Sequence, residues 1–352
     1  MTLLSAAFRD LPPAMGSFDE VTLTGSQLRV GGWMLHPGRR LTRMAAAWNG
    51  EIAGETSVRS RPDVQATFPD IARELESGFL ALLPVADGGR GRVDVIGYCG
   101  EEPVARLSLR FFGAAEMRWP QPPAELTLRV SGSKGAAFRV RTLKTFTDLL
   151  DQAERHGGVR EGARVLDWGC GCGAISSLLL RHHPGVRLEA CDVDPRGVEW
   201  CRANLPQGRF LVVGARPPLP YEDASFDLVV ASSVFTHLRL DDQRLWLAEL
   251  RRVLRPGGLM LASTMGPRML DEHLRFRGRR WRRLRKARFL LTGFDDFRVD
   301  HTLDGVATGL EYRCVYQTKA LVRRAWSRFL QVVEHVDNGL CGTQDLVVLR
   351  RA

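Results

Sequence analysis

Residues 163–173, ARVLDWGCGCG, carry an apolar run into a glycine-rich turn. The run ends at Leu166, and Asp167 follows it directly. Glycines then alternate through the turn, at Gly169, Gly171 and Gly173. Glycine lets a backbone pass close under a bound cofactor, and a helix predicted from Ala174 would present free N–H groups to that cofactor. The stretch therefore predicts a cofactor-binding turn between a buried strand and a helix.

The chain after this turn alternates buried strands with helical stretches, which is typical of a parallel sheet built from βαβ units. The strand-like runs include VRLEACDVD at 186–194, FDLVVASS at 226–233 and GGLMLAST at 257–264. Two later runs, FLQVVEHV and QDLVVLRR, flank the turn NGLCGT and predict an antiparallel pair that closes the sheet. The run YRCVYQTK, at 312–319, predicts another strand of the same closing region. Together these patterns predict an α/β fold.

The first third of the chain has a different texture. Short strand-like runs lie between Gly and Pro turn signals over residues 19–113, a pattern that predicts an antiparallel β-sandwich. Residues 114–124, AAEMRWPQPPA, contain three prolines, which favour extended backbone and predict a linker. The predicted domains are therefore a β-sandwich accessory domain at 1–113, a linker at 114–124 and an α/β domain at 125–352.

Two cofactor classes fit the spacing of the turn. Gly169, Gly171 and Ala174 satisfy the G-x-G-x-x-G/A pattern of dinucleotide sites, and Asp192 stands where a ribose-binding acid belongs. An NAD(P)-dependent oxidoreductase is therefore one alternative. Asp167 favours the other class, because a carboxylate ahead of the turn repels a diphosphate but accepts hydrogen bonds from the ammonium group of a sulfonium amino acid.

Five blocks of the chain occur in a telling order: VLDWGCGCG, ACDVDPRGVEWCRANL, PPLPYEDASFDLVVASSVFTHL, WLAELRRVLRPGGLMLAST and QDLVVLRR. Together they resemble the class I S-adenosylmethionine-dependent methyltransferases of the small-molecule and glycan-modifying type, over about residues 125–352. The resemblance implies a Rossmann-like sheet of seven strands, with the last strand antiparallel and helices on both faces. It also implies S-adenosyl-L-methionine as the cofactor, bound at the C-terminal ends of the first strands.

The resemblance also assigns roles to single residues. The implied cofactor ligands are Asp167, Gly169, Gly171 and Gly173 around the methionine part, Asp192 at the ribose, Val193 at the adenine, and Ser232 and Ser233 beside the transferable methyl group. One departure concerns Gly214 and Ala215, which stand where relatives often carry an acid or amide for the adenine amine. The backbone there, or the later Glu222 and Asp223, would then replace that contact.

His237 is the candidate catalytic residue. It follows Ser232 by five positions in the segment SVFTHL, near the expected methyl group. A hydroxyl acceptor is a poor nucleophile until its proton is removed, and histidine suits that task near neutral pH. The same segment occurs in methyltransferases of many chemistries, so a role in shaping the loop is the alternative.

Charge is concentrated in one segment. The formal net charge is +10, and Arg275–Arg288 holds nine cations and no acid, so the rest of the chain nets only +1. As a helix, this segment could lie on an anionic membrane or hold an acidic glycan, or it could be a solvated face. Nucleic acid is a weaker candidate, because the aromatic spacing does not resemble a base-stacking platform.

The remaining composition sets limits on the class of protein. The seven cysteines are odd in number and irregularly spaced, so we expect neither a disulfide framework nor a metal site. The sequence contains no apolar run of the length that spans a bilayer and no signal-peptide pattern at its start. A cytoplasmic location is therefore expected, with the inner face of a membrane as a place of peripheral attachment.

A second resemblance covers roughly residues 19–112. The segments GWMLHPGRR, WNGEIAGET, RSRPDV, FPDI and ESGF are similar to β-sandwich modules attached to enzymes of surface-polysaccharide synthesis. This resemblance implies that the module holds a substrate or partner, and it points to an O or N atom of a sugar, glycan or small metabolite as the methyl acceptor. A cofactor-binding protein of the same fold without catalysis is a third hypothesis, beside the methyltransferase and the oxidoreductase.

Overall fold

The computed structural model describes residues 11–12, 14–69, 71, 76–85, 89–113, 120–275, 277–301, 306 and 312–352. Residues 114–119 of the predicted linker lie outside that range. The chain divides into two compact units that are not contiguous in sequence. The first consists of Met1–Gln121 and Ser133–Asp148, and the second of Pro122–Gly132 and Leu149–Ala352.

The first unit is β-rich. One antiparallel sheet has the order β1-β2-β6-β5, and a second has the order β4-β3-β7-β8. Their bounds are β1 (Met15–Thr24), β2 (Gln27–Leu35), β3 (Arg43–Trp48), β4 (Glu51–Glu55), β5 (Ser57–Arg59), β6 (Gly78–Pro84), β7 (Arg90–Cys99) and β8 (Glu102–Phe112), with a short helix α1 (Pro62–Thr67) after β5. Leu107 of β8 packs beside Gly16 of β1, so the two sheets are in contact. The predicted β-rich, antiparallel character is confirmed.

Two helices follow the first unit's strands: α2 (Ala124–Ser131) and α3 (Gly135–Arg155). The N-terminal part of α3 belongs to the first unit, where the backbone N–H of Arg110 donates to Thr147 Oγ1 at 2.8 Å. The rings of Phe112 and Phe146 also lie 5.8 Å apart there. The compact units therefore place residues 133–148 with the β-rich part, whereas the domain bounds drawn from the sequence place them in the α/β domain.

The second unit is built on a seven-stranded sheet of order β11-β10-β9-β12-β13-β17-β16. Its elements are β9 (Arg164–Trp168), α4 (Ala174–His182), β10 (Arg187–Asp192), α5 (Pro195–Asn204), β11 (Arg209–Val212), β12 (Phe226–Ala231), α6 (Leu240–Val253), β13 (Leu254–Thr264), β16 (Gln331–Leu340) and β17 (Gln344–Arg350). The strands β9 to β13 run parallel, and β17 is antiparallel to both of its neighbours. The predicted α/β fold and its antiparallel closing pair are confirmed.

An insertion separates β13 from β16. It contains α7 (Pro267–Leu274), α8 (Arg279–Thr292), β14 (Phe294–Val299), β15 (Arg313–Gln317) and α9 (Lys319–Trp326). The run YRCVYQTK does form a strand, β15, but it pairs with β14 in a separate two-stranded sheet. The reason is that β12 and β17 already occupy both edges of β13. The basic segment Arg275–Arg288 supplies most of α8.

Four aromatic side chains lie below the end of β9. The ring of Trp168 lies 4.7 Å from that of Trp246 and 5.4 Å from that of Phe235, and Phe235 in turn lies 4.6 Å from Trp326. All four are buried, and burying a side chain of this size stabilises a fold by about 2–3 kcal/mol. The cluster therefore gives the strand ends above it a rigid base.

Among the described helices, none is at once long enough and apolar enough to cross a bilayer.

Candidate active site

The carboxyl ends of parallel strands meet at one edge of a sheet, where open α/β folds bind their ligands. Here β9, β10, β12 and β13 are parallel neighbours, so the segments that follow them gather at this edge. The residues brought together are the turn 169–173, the pair Asp192 and Val193, the pair Ser232 and Ser233, and the start of α7. We call this edge the carboxyl edge.

The glycines of the turn are required by the protein's own packing. Gly169 has a φ of 76° and Gly171 a φ of 55°, both in the left-handed region that favours glycine. A methyl group added at Gly169 would overlap Cγ2 of Val234, and one added at Gly171 would come within 2.8 Å of Cγ1 of Val130. The sequence attributed these glycines to a cofactor passing close by, but protein side chains fill the space beside the two Cα atoms.

Asp167 lies beneath the turn. It is 2% exposed and accepts a hydrogen bond of 2.6 Å from Ser176 Oγ on α4. Burial raises the pKa of Asp167 to about 6, although the bond from Ser176 acts in the opposite direction. The carboxyl group predicted to meet a cofactor ammonium therefore already ties the strand to the following helix.

Asp192 is more accessible than Asp167. Its carboxylate accepts the backbone N–H of Gly171 at 2.7 Å and that of Asp194 at 2.8 Å. Burial raises its pKa, although both backbone bonds oppose that shift. Each carboxylate oxygen has a second lone pair, so Asp192 keeps acceptor capacity for a ligand at the carboxyl edge. Val193, the next residue, is half-buried.

Helix α2 covers the turn, which sequence reasoning missed. Val130 packs against Gly171, and Arg129 Nε lies 3.3 Å from Oδ2 of Asp194 in an ion pair that is mostly buried. The Nε and Nη2 atoms of Arg129 are buried and have no hydrogen-bond partner among the described residues. Buried guanidinium donors of this kind match a carboxylate or phosphate ligand. No local pattern around Arg129 marks it, since the turn lies far along the chain.

The segment after β12 is held in place by hydrogen bonds. Ser233 has a φ of 61°, and its backbone N–H donates to Ser263 Oγ on β13 at 2.7 Å. Its hydroxyl lies 3.0 Å from Nε2 of Gln344 on β17. Thr236 Oγ1 donates to the carbonyl of Ser233 at 2.7 Å, and Ser232 is half-buried. Ser233 is therefore fixed at the carboxyl edge by β13, by β17 and by Thr236 of its own segment.

His237 is at the end of this segment. Its ring stacks on Tyr312 with the centroids 4.1 Å apart, and its Nδ1 lies 3.5 Å from Oδ2 of Asp300. Burial lowers the pKa of His237 to about 4, although the Asp300 carboxylate acts in the opposite direction. The imidazole is therefore neutral at pH 7, which is the form that accepts a proton. Asp300 and Tyr312 were not identified from the sequence.

Glu222 and Asp223 lie away from this edge. They precede β12, and Asp223 pairs with Arg252 at 2.7 Å beside the strand's amino end. The structure therefore does not bring these two acids to the carboxyl edge, because parallel strands place their amino ends at the opposite edge of the sheet. Gly214 and Ala215 follow β11 at the carboxyl edge, which leaves backbone groups for that contact.

One group of side chains has metal-ligand geometry. Among the described residues, His335, Asp337 and Asp345 offer ligand atoms that lie within 4.8 Å of one another. Lys319 Nζ is 3.5 Å from the Asp337 carboxylate, and His335 Nε2 is 3.2 Å from Asp345. These contacts already give both carboxylates protein partners, and we assign no metal to the group.

Comparison with known proteins shows which proteins this part of the chain is similar to. Residues 166–262, from β9 to β13, match the family model described as a methyltransferase domain. This stretch is therefore similar to a methyltransferase domain. The turn, Asp192 and the two serines all belong to this matched stretch.

The curated relatives share this part of the chain. The malonyl-(acyl-carrier protein) O-methyltransferase of Hahella chejuensis is 37% identical over 154 residues, which is 40% of this chain and 54% of the relative. The phthiotriol/phenolphthiotriol dimycocerosates methyltransferase 1 of Mycobacterium ulcerans is 34% identical over 151 residues, 42% of this chain and 50% of the relative. The chain thus spans about half the length of these relatives.

Solved structures are more distant. An S-adenosylmethionine-dependent methyltransferase from Mesorhizobium loti is 17% identical, with a TM-score of 0.40, over 57% of this chain and 96% of that one. The name of that protein refers to S-adenosylmethionine. The side chains at the carboxyl edge fit such a molecule, because Asp192 has spare acceptors for hydroxyl groups and Arg129 has unmatched donors for a carboxylate.

Proposed function

We propose that this protein transfers a methyl group from S-adenosylmethionine to an oxygen or nitrogen atom of an acceptor. The proposal rests chiefly on one observation. The stretch that matches the methyltransferase domain, residues 166–262, contributes the turn 169–173, Asp192 and Ser232 to the same sheet edge. The NAD(P)-dependent alternative has no support of this kind.

The cofactor contacts follow from the groups that remain open at this edge. Asp192 would accept the ribose hydroxyls, and Val193 would lie against the adenine. The guanidinium of Arg129 would bind the methionine carboxylate in a charge-assisted pair. Ser232 and Ser233 would border the methyl group. Asp167 would act indirectly, by holding the turn 169–173 against α4.

Methyl transfer from a sulfonium is an in-line displacement, for which the cofactor supplies an activated methyl group. The protein's part is to align the acceptor, exclude water and remove a proton where the acceptor is a hydroxyl. His237 would accept that proton at Nε2, because its Nδ1 faces Asp300. Asp300 would be a positioning residue that orients the ring and stabilises the imidazolium as it forms.

The class of acceptor is part of the proposal. The resemblances in the sequence favour a sugar, glycan or small metabolite, and the β-rich unit would serve as an accessory domain for holding it. The names of the relatives instead refer to malonyl-acyl-carrier protein, a dimycocerosate and, in Mycolicibacterium smegmatis, a fatty acid. We therefore propose an oxygen acceptor and rank acyl carboxylates and lipid hydroxyls ahead of sugar hydroxyls.

Titration calorimetry and a transfer assay test this function. We expect the purified protein to bind S-adenosylhomocysteine and not NAD, and Asp192→Ala to weaken that binding by at least about tenfold. Labelled methyl from S-adenosylmethionine should then reach an acid or hydroxyl in a panel of acyl, lipid and sugar acceptors. Binding of NAD alone would sink the proposal, and cofactor binding without transfer to any compound of the panel or a lysate would favour the non-catalytic protein.

The proposed base has a test of its own. We expect His237→Ala to lower kcat by about 100-fold or more with a hydroxyl acceptor. Asp300→Asn should lower kcat less and move the acid limb of the kcat/KM profile to lower pH, because Asp300 raises the pKa of His237. His156→Ala is the control, since His156 pairs with Glu334 and its carbonyl accepts from Arg350 at the opposite sheet edge. An unchanged kcat for His237→Ala would leave only the structural role.

A further inference from the structure

Helix α8 carries the basic segment on an insertion that the methyl-transfer proposal does not use. The helix comprises Arg279–Thr292, RRWRRLRKARFLLT, and has no acidic residue. Its two faces differ sharply in their contacts. One face is fixed to the rest of the insertion, and the other is exposed.

The inner face is held by apolar and ionic contacts. Phe289 is 3% exposed, and Trp281 packs edge-on against Phe297 with the ring centroids 5.0 Å apart. Arg285 pairs at 3.2 Å with Asp295, which is fully buried, and Lys286 pairs at 2.6 Å with Asp271. These residues recur at helical spacing, so they fix which side of the helix faces outward.

The outer face combines cations with large apolar side chains. Leu284, Leu290 and Leu291 are 63%, 79% and 87% exposed. Arg280, Leu284, Ala287 and Leu291 follow one another at i, i+4, i+7 and i+11, so they form one line along the helix. The exposed arginines of the helix are Arg279, Arg280, Arg282, Arg283 and Arg288. All but Arg282, which lies seven positions before the buried Phe289, lie on or beside this line. Within the described part of the chain, none of these five forms an ion pair with a carboxylate.

The combination of exposed arginines and exposed leucines distinguishes water, a soluble polyanion and a lipid surface as partners of this face. A helix face that only contacts water is not expected to expose three leucines by more than half. A soluble polyanion would contact the arginines and leave the leucines in water. An anionic lipid surface satisfies both groups, since phosphates meet the guanidinium groups while the leucines enter the boundary of the acyl chains. We propose that the outer face of α8 docks the protein on an anionic lipid membrane.

The expected affinity follows from the number of groups involved. Each basic residue close to an anionic membrane strengthens binding by about fivefold, and each leucine side chain that leaves water adds about tenfold. If all of them engage the membrane, removing four arginines should weaken binding by about 600-fold and replacing the three leucines by about 1000-fold. The proposal needs both effects and does not depend on methyl transfer.

Vesicle co-sedimentation of the full chain provides the test. The vesicles are equimolar phosphatidylcholine and phosphatidylglycerol, with pure phosphatidylcholine for comparison. One variant changes Arg279, Arg280, Arg283 and Arg288 to Gln, and a second changes Leu284, Leu290 and Leu291 to Ser. The matched control changes Arg251, Arg323, Arg324 and Arg328 to Gln, which removes four exposed positive charges outside α8.

We expect binding to the anionic vesicles only, a loss in both α8 variants and little change in the control. Salt at about 1 M, where the Debye length is about 3 Å, should release most of the protein. Circular dichroism and the affinity for S-adenosylhomocysteine should be the same in all variants, which separates docking from folding and from the cofactor site.

Three results would overturn the proposal. The leucine variant could bind anionic vesicles as well as the wild type, which would make the contact one of charge alone. The control could lose as much affinity as the arginine variant, which would make α8 unremarkable among basic surfaces. Heparin or duplex DNA could bind more tightly than the vesicles at equal phosphate or sulfate concentration, which would assign the arginines to a soluble polyanion.

Discussion

At the scale of single residues, a glycine can be needed for its backbone angle or for lack of space, and Gly169 meets both conditions. Its φ of 76° disfavours any side chain, and Val234 occupies the place of a Cβ. Gly162 has a similar φ of 73° but nothing within 4 Å of an added Cβ. The pair therefore distinguishes backbone strain from steric overlap in one molecule.

We expect Gly162→Ala to lower the free energy of unfolding by about 1 kcal/mol through backbone strain. Gly169→Ala should cost about 2–4 kcal/mol, because overlap with Val234 adds to that strain. Urea unfolding measures both. In the double variant Gly169→Ala with Val234→Ala, part of the excess should return as a coupling energy of about 1 kcal/mol or more. Equal losses for the two single variants would show that Val234 moves aside freely.

The raised pKa of Asp167 makes stability depend on pH. Because its folded pKa is about 6 and its usual value is 3.8, the folded state binds more protons than the unfolded state between these values. Stability from this group therefore falls as pH rises through about 4 to 6, by about 2–3 kcal/mol in total. Asp167→Asn should remove this dependence.

Urea unfolding of wild type and Asp167→Asn at several pH values provides the measurement. The unfolding free energy of Asp167→Asn minus that of the wild type should increase between about pH 4 and pH 7. Asp241→Asn is the control, because Asp241 is an exposed acid in the first turn of α6. Parallel pH profiles for wild type and Asp167→Asn would contradict the assigned shift.

At the scale of elements, helix α2 lies against the turn 169–173 and the start of α5. Two ion pairs join α2 to this region, and they differ in how deeply they are buried. Arg129 and Asp194 are 15% and 5% exposed, whereas Glu125 and Arg196 are 65% and 52% exposed. A buried charge that loses its partner is costly, and an exposed pair contributes little. The two pairs should therefore differ greatly in their effect on the site.

Calorimetry with S-adenosylhomocysteine tests this difference. Arg129→Gln should weaken binding by about 10- to 100-fold, because a charge-assisted contact to the methionine carboxylate is lost. Arg196→Gln should change it by about twofold or less, as expected for a surface pair. Urea unfolding of both variants checks that they remain folded. If the two substitutions weaken binding equally, Arg129 holds only the helix and not the cofactor.

At the scale of the whole molecule, the sequence predicted what depends on periodicity. Parallel strands end at one edge, so Asp192 and Ser232 could be placed together from their positions after buried runs. Arg129, Asp300 and Gln344 could not be found, because they reach the carboxyl edge from elements that no local pattern links to it. Strand β15 illustrates the same limit. Its residues predict extended backbone, but its partner depends on which edge of β13 is free.

The units also limit how the protein can be divided. A fragment 125–352, cut at the boundary drawn from the sequence, retains α3 but loses β8 with Phe112 and Arg110. Phe138 and Phe146, which are 4% and 1% exposed in the full chain, would then face water. A contiguous cut after α3 fails differently, since it removes Arg129 together with α2. We therefore expect the fragment 125–352 to bind an apolar dye and to unfold at lower urea than the full chain.

The same substitution should have opposite effects in the two contexts. In the full chain, changing Phe138 and Phe146 to Ser should lower the free energy of unfolding by at least about 3 kcal/mol, because both rings leave a packed core. In the fragment 125–352 it should reduce dye binding and improve solubility, because the rings are already exposed there. Dye fluorescence and urea unfolding of four proteins, with and without the substitutions, measure both signs. The expectation would be contradicted if the fragment were as stable as the full chain and the two substitutions lowered its unfolding free energy by the same amount. Helix α3 would then pack entirely within residues 125–352.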